Sequence, residues 1–139
     1  MTPAFAPALL FFDPHEEEKH RAKTRPLPDA KVEKDERLFC STCRHPVTHL
    51  NQRIAVGGGH EHRCINPQGI VYRIGCFREA SCAADGETTM EYTWFRGYAW
   101  RIAYCAQCQA HLGWEFQSDN DCFHGLIVDR LISVGPVKN

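Results

Sequence analysis

Two Cys-x-x-Cys pairs, Cys40-Ser-Thr-Cys43 and Cys105-Ala-Gln-Cys108, limit what this chain can fold into more than any other feature. Together they supply four thiolates, the donor set of a closed tetrahedral zinc site. Sixty-one residues separate the pairs, so a shared metal would join two hairpins far apart in the chain. With four sulfurs bound, no coordination position stays open, and one structural Zn2+ is expected. The competing readings are two disulfides or a redox pair. A thioredoxin-type pair needs a helix after the motif, and Gln109-Ala-His-Leu-Gly-Trp does not read as one. Of the eight cysteines, the other four (Cys64, Cys76, Cys82 and Cys122) stand singly and read as reduced thiols. The apolar start MTPAFAPALLFF lacks a basic n-region and soon meets Glu16, Glu17 and Glu18, which argues for a tail or docking strip and against an export leader. The expected compartment is cytoplasmic.

The size of 139 residues fits one modest domain. A net charge of −1 gives no electrostatic reason to expect nucleic acid or an anionic membrane as partner. No apolar run approaches the ~20 residues of a membrane span. Residues 1–36 hold five of the eight prolines, and 15–37 is almost free of apolar residues. Such a segment buries too little surface to offset its ordering entropy. It is expected to be a flexible arm, with at most a short helix over 16–23.

From residue 37 to 135 the texture is β, and 136–139 is a short tail. Strands are expected over 70–77, 91–95, 98–105, 111–117 and 123–128, short runs rich in branched and aromatic residues. Turn signals such as Asp85-Gly86 and Arg96-Gly97 separate them. The class is therefore all-β and antiparallel.

Three tryptophans, Trp94, Trp100 and Trp114, fall in this region. A hairpin closed by the second cysteine pair would set Trp100 opposite Trp114 and Tyr98 opposite Phe116. A hairpin turning at Arg96-Gly97 would set Trp94 beside Trp100. All three indoles would then share one face, on strands ~4.8 Å apart, and could box a flat ring or a small cation. The plain alternative is an aromatic core. His60 and His62 share a strand face but lack a third metal ligand and read as a polar loop after three glycines. His45 and His49 flank the first cysteine pair as neighbours, since the sulfurs already fill the site.

The ordered series Cys40-x-x-Cys43, Gly59-His60-Glu61-His62, Asn66-Pro67-x-Gly69, Thr93-Trp94-Phe95-x-Gly97-Tyr98-x-Trp100, Cys105-x-x-Cys108, His111-Leu112-Gly113-Trp114-x-Phe116 and Gly125-Leu126 resembles the CULT domain, the thalidomide-binding domain of cereblon, in its single-domain bacterial form. The likeness covers about residues 38–132. It implies a β-tent: two antiparallel sheets pinned at one end by a zinc site of four cysteines. It also implies a binding module, not an enzyme, in which Trp94, Trp100 and Trp114 wall a cyclic imide of glutarimide or thalidomide type. Phe116 would close the base, the backbone around Tyr92 and Trp94 would hydrogen-bond the imide, and Asn66 and Pro67 would line the rim. Imides formed at damaged chain ends and pyrimidine-like metabolites are the natural ligands this suggests. Tyr92 stands where human-type members have histidine, and Arg96 replaces the common proline or lysine. Tyr72 approaches the pocket edge without an assigned role. No ubiquitin-ligase adaptor role is implied.

Two other functions compete. A B-type methionine sulfoxide reductase shares the zinc-pinned β-tent and would use Cys122 as its thiol, with His124 beside it. A cage for methylated amines would need a carboxylate by the rings, Glu91 or Glu115.

Overall fold

In a computed structural model of the chain, residues 22–27 and 35–134 are described. Among these described residues eleven strands occur in chain order: β1 (Thr24–Pro26), β2 (Arg37–Cys40), β3 (Pro46–His49), β4 (Ile54–Val56), β5 (Glu61–Ile65), β6 (Val71–Phe77), β7 (Cys82–Ala84), β8 (Ala99–Cys105), β9 (His111–Gln117), β10 (Cys122–Ile127) and β11 (Leu131–Ser133). Single 3-10 turns cover Leu50–Gln52 and Val128–Arg130, and no α-helix occurs among the described residues. The strands build a six-stranded sheet in the order β5-β6-β10-β9-β8-β7, a three-stranded sheet β11-β2-β3, and a β1-β4 ribbon. Every pairing is antiparallel. The all-β class and its antiparallel sheets thus hold.

Side-chain alternation along β6 and β10 turns the large sheet to two cores, with Ile74 and Phe123 on one side and Phe77 and Leu126 on the other. In β9, Leu112, Trp114 and Phe116 are buried. Trp114 and Phe116 join Ile74, Phe95, Tyr98 and Phe123 in one cluster. There the Phe116 and Phe123 rings stack at 5.1 Å, and Phe95 meets Phe116 edge-on at 4.9 Å. Leu112 and Leu126 join Val47, Phe77, Cys40 and Cys105 in the second cluster, which bonds the large sheet to the small one. Glycine permits the closest strand approach: a Cβ on Gly113 would lie 2.0 Å from the Gly125 carbonyl oxygen.

Three expectations need correction. Residues 91–95 are turns, with Tyr92 at a φ of 60°. The Thr93 hydroxyl donates to the Tyr98 carbonyl at 2.6 Å and closes a tight loop. This local side-chain bond outcompetes the strand propensity of the run. Second, Trp100 pairs with Phe116, and Trp114 with Ile102. The knuckle turn is longer than expected, with a bulge between Ala103 and Tyr104 and the Cys105 amide bonded to the Ala110 carbonyl. The offset is two residues, which keeps the same side chains on the same face. Third, part of the expected arm is ordered, since Thr24–Pro26 pairs with β4. The expected helix at 16–23 lies almost wholly outside the described residues, its last two positions being non-helical, and the 136–139 tail lies outside them altogether.

Candidate functional site

Both cysteine pairs fold the same way. Arg44 donates its amide to the Cys40 carbonyl at 2.8 Å, and Gln109 does the same to Cys105 at 2.9 Å. Arg44 and Gln109 take left-handed φ values of 68° and 67°. The two turns bring all four sulfurs within 4.8 Å of one another. Sγ of Cys40 lies 3.7 Å from that of Cys108, and Sγ of Cys43 lies 3.6 Å from that of Cys105. A tetrahedron with Zn–S bonds of about 2.3 Å has edges of about 3.8 Å, so the set suits one zinc ion. Burial pushes the Cys105 thiol up, but amide donation from Cys108 and Gln107 outweighs it and holds the group at about 7. The Ala110 backbone bond lowers the Cys108 thiol, but burial and its sulfur neighbours outweigh it and lift the group to about 12. Burial likewise lifts the lone thiols Cys64 to about 11 and Cys82 to about 12, so it is the sulfur distances that mark the site. Cys40, Cys43, Cys105 and Cys108 are therefore the metal-ligand set.

His60 and His62 do not form a second centre among the described residues. Each ring bonds a backbone carbonyl, that of Ile54 at 3.1 Å and that of Gly59 at 3.0 Å. His45 bonds the Ser81 hydroxyl at 2.9 Å and stays out of the sulfur cluster.

At the other end of β8 and β9 lies a cavity of about 550 Å³. Trp94, Trp100, Trp114 and Phe116 all line it, and Asn66, Pro67 and Tyr92 stand at it as well. Trp94 does not come from a strand beside Trp100. It projects from the Thr93–Tyr98 loop and meets Trp114 edge-on, ring centres 4.8 Å apart at 78°. Two indole N–H groups are committed to protein carbonyls: Trp94 to Ile65 at 3.0 Å and Trp100 to Glu91 at 2.7 Å. These two walls thus keep their donors for the protein and offer the space their apolar ring surface. Asn66 shapes the rim, its side-chain oxygen accepting the amides of Gln68 at 3.0 Å and Ile70 at 2.8 Å.

Of the lining residues to which the sequence assigned no role, Tyr72 and His111 set their rings against Trp114. Tyr72 meets Trp114 edge-on at 5.0 Å. It shares strand parity with Ile74, a signal available once β6 is identified. His111 meets Trp114 at 4.9 Å and 89°. Its position follows from the bulge in the β8–β9 register, which no sequence pattern announces. Burial holds its pKa below 6.5.

The groups proposed for other chemistry lie elsewhere. Cys122 and His124 line a different, polar cavity. Burial, then Glu115 and Asp121, push the Cys122 thiol up, which disfavours the nucleophilic thiolate. Glu115 is bonded to Arg101 at 2.6 Å and does not line the tryptophan cavity, whereas Glu91 does.

No family model matches the chain. Individual relatives do. Over 90 residues, 61% of this chain, it is 34% identical to protein cereblon of Drosophila yakuba. Over 84 residues, 58% of this chain, it is 34% identical to protein cereblon of Danio rerio. This chain is similar to cereblon. The matched stretch spans 15% of the fly cereblon and 20% of the fish one. The similarity supports a cereblon-like domain of the CULT type, in agreement with the four-cysteine centre. Among the described residues no helix is long and apolar enough to cross a membrane.

Proposed function

We propose that this chain is a small-molecule binding module that holds cyclic imides of the glutarimide and thalidomide type. The observation that carries the reading is the cavity walled by Trp94, Trp100 and Trp114, with two of the three indole N–H groups already spent on backbone carbonyls. A ligand for such walls needs apolar faces and must satisfy its polar edge elsewhere. An imide has that form: flat methylenes, and one N–H between two carbonyls. The backbone around Tyr92 and Trp94 is the complementary edge. Among the described residues the Trp94 amide and the Tyr92 carbonyl have no backbone partner.

Burying ~150 Å² of apolar ligand surface contributes on the order of 3–4 kcal/mol. Each hydrogen bond in the box adds roughly 0.5–1.5 kcal/mol. After the cost of association, micromolar affinity is expected. Zinc serves the fold and takes no part in binding. Imides at damaged chain ends and pyrimidine-like metabolites are the candidate natural ligands. The reading assigns no catalysis and no ligase-adaptor role.

Titration with thalidomide, followed by tryptophan emission, tests the proposal. Saturable quenching in the micromolar range that glutarimide competes away is expected, and its absence overturns the reading. A quaternary amine that competes better than glutarimide would favour the methylated-amine cage, for which Glu91 is the available carboxylate.

A further inference from the structure

The loop that carries Trp94 is closed on itself. Thr93 bonds the Tyr98 carbonyl at 2.6 Å, and the Tyr98 amide bonds the Phe95 carbonyl at 3.0 Å. A closed loop moves as one unit, so whatever holds its far side sets the position of the Trp94 wall. Besides the ring packing of Phe95 and Tyr98 in the core, two polar contacts on that side lead to the N-terminal strand.

The first contact is a carboxylate hub. Asp121 accepts the Tyr98 hydroxyl at 2.6 Å and the Thr24 hydroxyl at 2.9 Å on the same oxygen. Its other oxygen takes the Arg78 guanidinium, which also bonds the Thr24 hydroxyl at 3.1 Å and the Cys122 carbonyl at 2.6 Å. The Thr24 hydroxyl thus donates to Asp121 and accepts from Arg78, bridging the two charges. The second contact is backbone: the Ala22 amide donates to the Arg96 carbonyl at 3.1 Å. Pairing of β1 with β4, and the Gly57 amide on the Lys23 carbonyl at 2.9 Å, fix the strand that makes both contacts.

We propose that Thr24 and Asp121 are positioning residues of the tryptophan cage: through the Tyr98 hydroxyl they tie the N-terminal strand to the Trp94 loop, so that segment 22–27 is part of the binding unit and not of a dispensable arm. Neither residue lines the cavity, and their effect passes through the loop. This extends the imide-binding reading, but its test includes a readout that needs no ligand.

The experiment uses the full chain with Thr24→Val, Thr24→Ser and Asp121→Asn, each checked to hold one zinc per chain. Valine matches threonine in shape and removes both hydrogen bonds; serine keeps them. The first readout is thalidomide affinity. The second is hydrogen exchange of the Trp94 indole N–H, assigned with Trp94→Phe and reporting its bond to Ile65. Thr24→Val is expected to weaken thalidomide at least threefold and to speed Trp94 indole exchange at least fivefold. Thr24→Ser should match the parent, and Asp121→Asn should exceed Thr24→Val. If Thr24→Val leaves both readouts within twofold of the parent, or if Thr24→Ser is as impaired as Thr24→Val, the proposal is overturned. If the parent itself ignores thalidomide, the imide reading fails, and indole exchange alone still decides the positioning role.

Discussion

The indole N–H of Trp94 donates to the carbonyl of Ile65 at 3.0 Å, tying the one cage wall that stands on a loop to the last residue of β5. Asn66 and Pro67 of the rim follow directly. This hydrogen bond is therefore a direct link between wall and rim, on the side of the loop opposite the Tyr98 contacts.

Trp94→Phe keeps a ring but leaves the Ile65 carbonyl without this donor. Loss of one partly buried bond is worth roughly 0.5–1.5 kcal/mol, about two- to tenfold in affinity. Thalidomide titration of the variant checks this, with the fold expected to survive.

Trp100 and Trp114 should separate binding from stability. Trp114 is 7% exposed and belongs to the core, so Trp114→Ala should cost about 3–5 kcal/mol of stability as well as binding. Trp100 only packs against that core, so Trp100→Ala should abolish imide binding while the protein stays folded with its zinc. Denaturant melts and metal analysis beside the titration make the comparison; intact binding by Trp100→Ala would refute the pocket assignment.

Removing the metal should unfold the domain. Cys105 is fully buried and stands among the second-cluster side chains, so losing its sulfur breaks the site where the two sheets meet. Cys105→Ser, or a strong chelator, should give a flattened β circular-dichroism signal. A folded, metal-free protein would contradict the structural role.

Gly113→Ala should destabilise the sheet by about 1–3 kcal/mol or more, because its Cβ would sit 2.0 Å from the backbone oxygen of Gly125 and neither strand can yield without losing register. A lowered thermal midpoint reads this directly.

Acid should weaken the fold through His124. Burial holds its pKa below 6.5, and among the described residues its Nδ1 is buried without a partner. The unfolded chain takes up the proton first, so stability is full above about pH 6.5 and falls as pH drops toward the folded value. His111 and His60 shift the same way. His124→Asn should flatten the pH dependence of the denaturation midpoint between about pH 7 and 5; an unchanged slope would assign the effect to the other two histidines.

Much of this architecture was legible in the residues. The cysteine spacing announced a four-sulfur centre because two tight pairs supply the four thiolates of a closed tetrahedral zinc site, and runs of branched and aromatic residues between turn signals announced β6, β8, β9 and β10. The tryptophan face survived a two-residue register error because strand parity repeats every two residues. What stayed hidden depended on local bonds. The Thr93 hydroxyl turned an apparent strand into a loop, and a bulge brought His111 behind Trp114. Thr24 looked like part of a solvated arm, since only the folded chain sets its hydroxyl between Arg78 and Asp121.

Strand β8 carries Trp100 near one end and Cys105 at the other, about 17 Å apart at strand rise. Occupancy at one end and metal retention at the other are therefore linked through a shared ribbon. Any guest that prefers the intact cage must raise the affinity for zinc, and by reciprocity loss of the metal must weaken the hold on the guest.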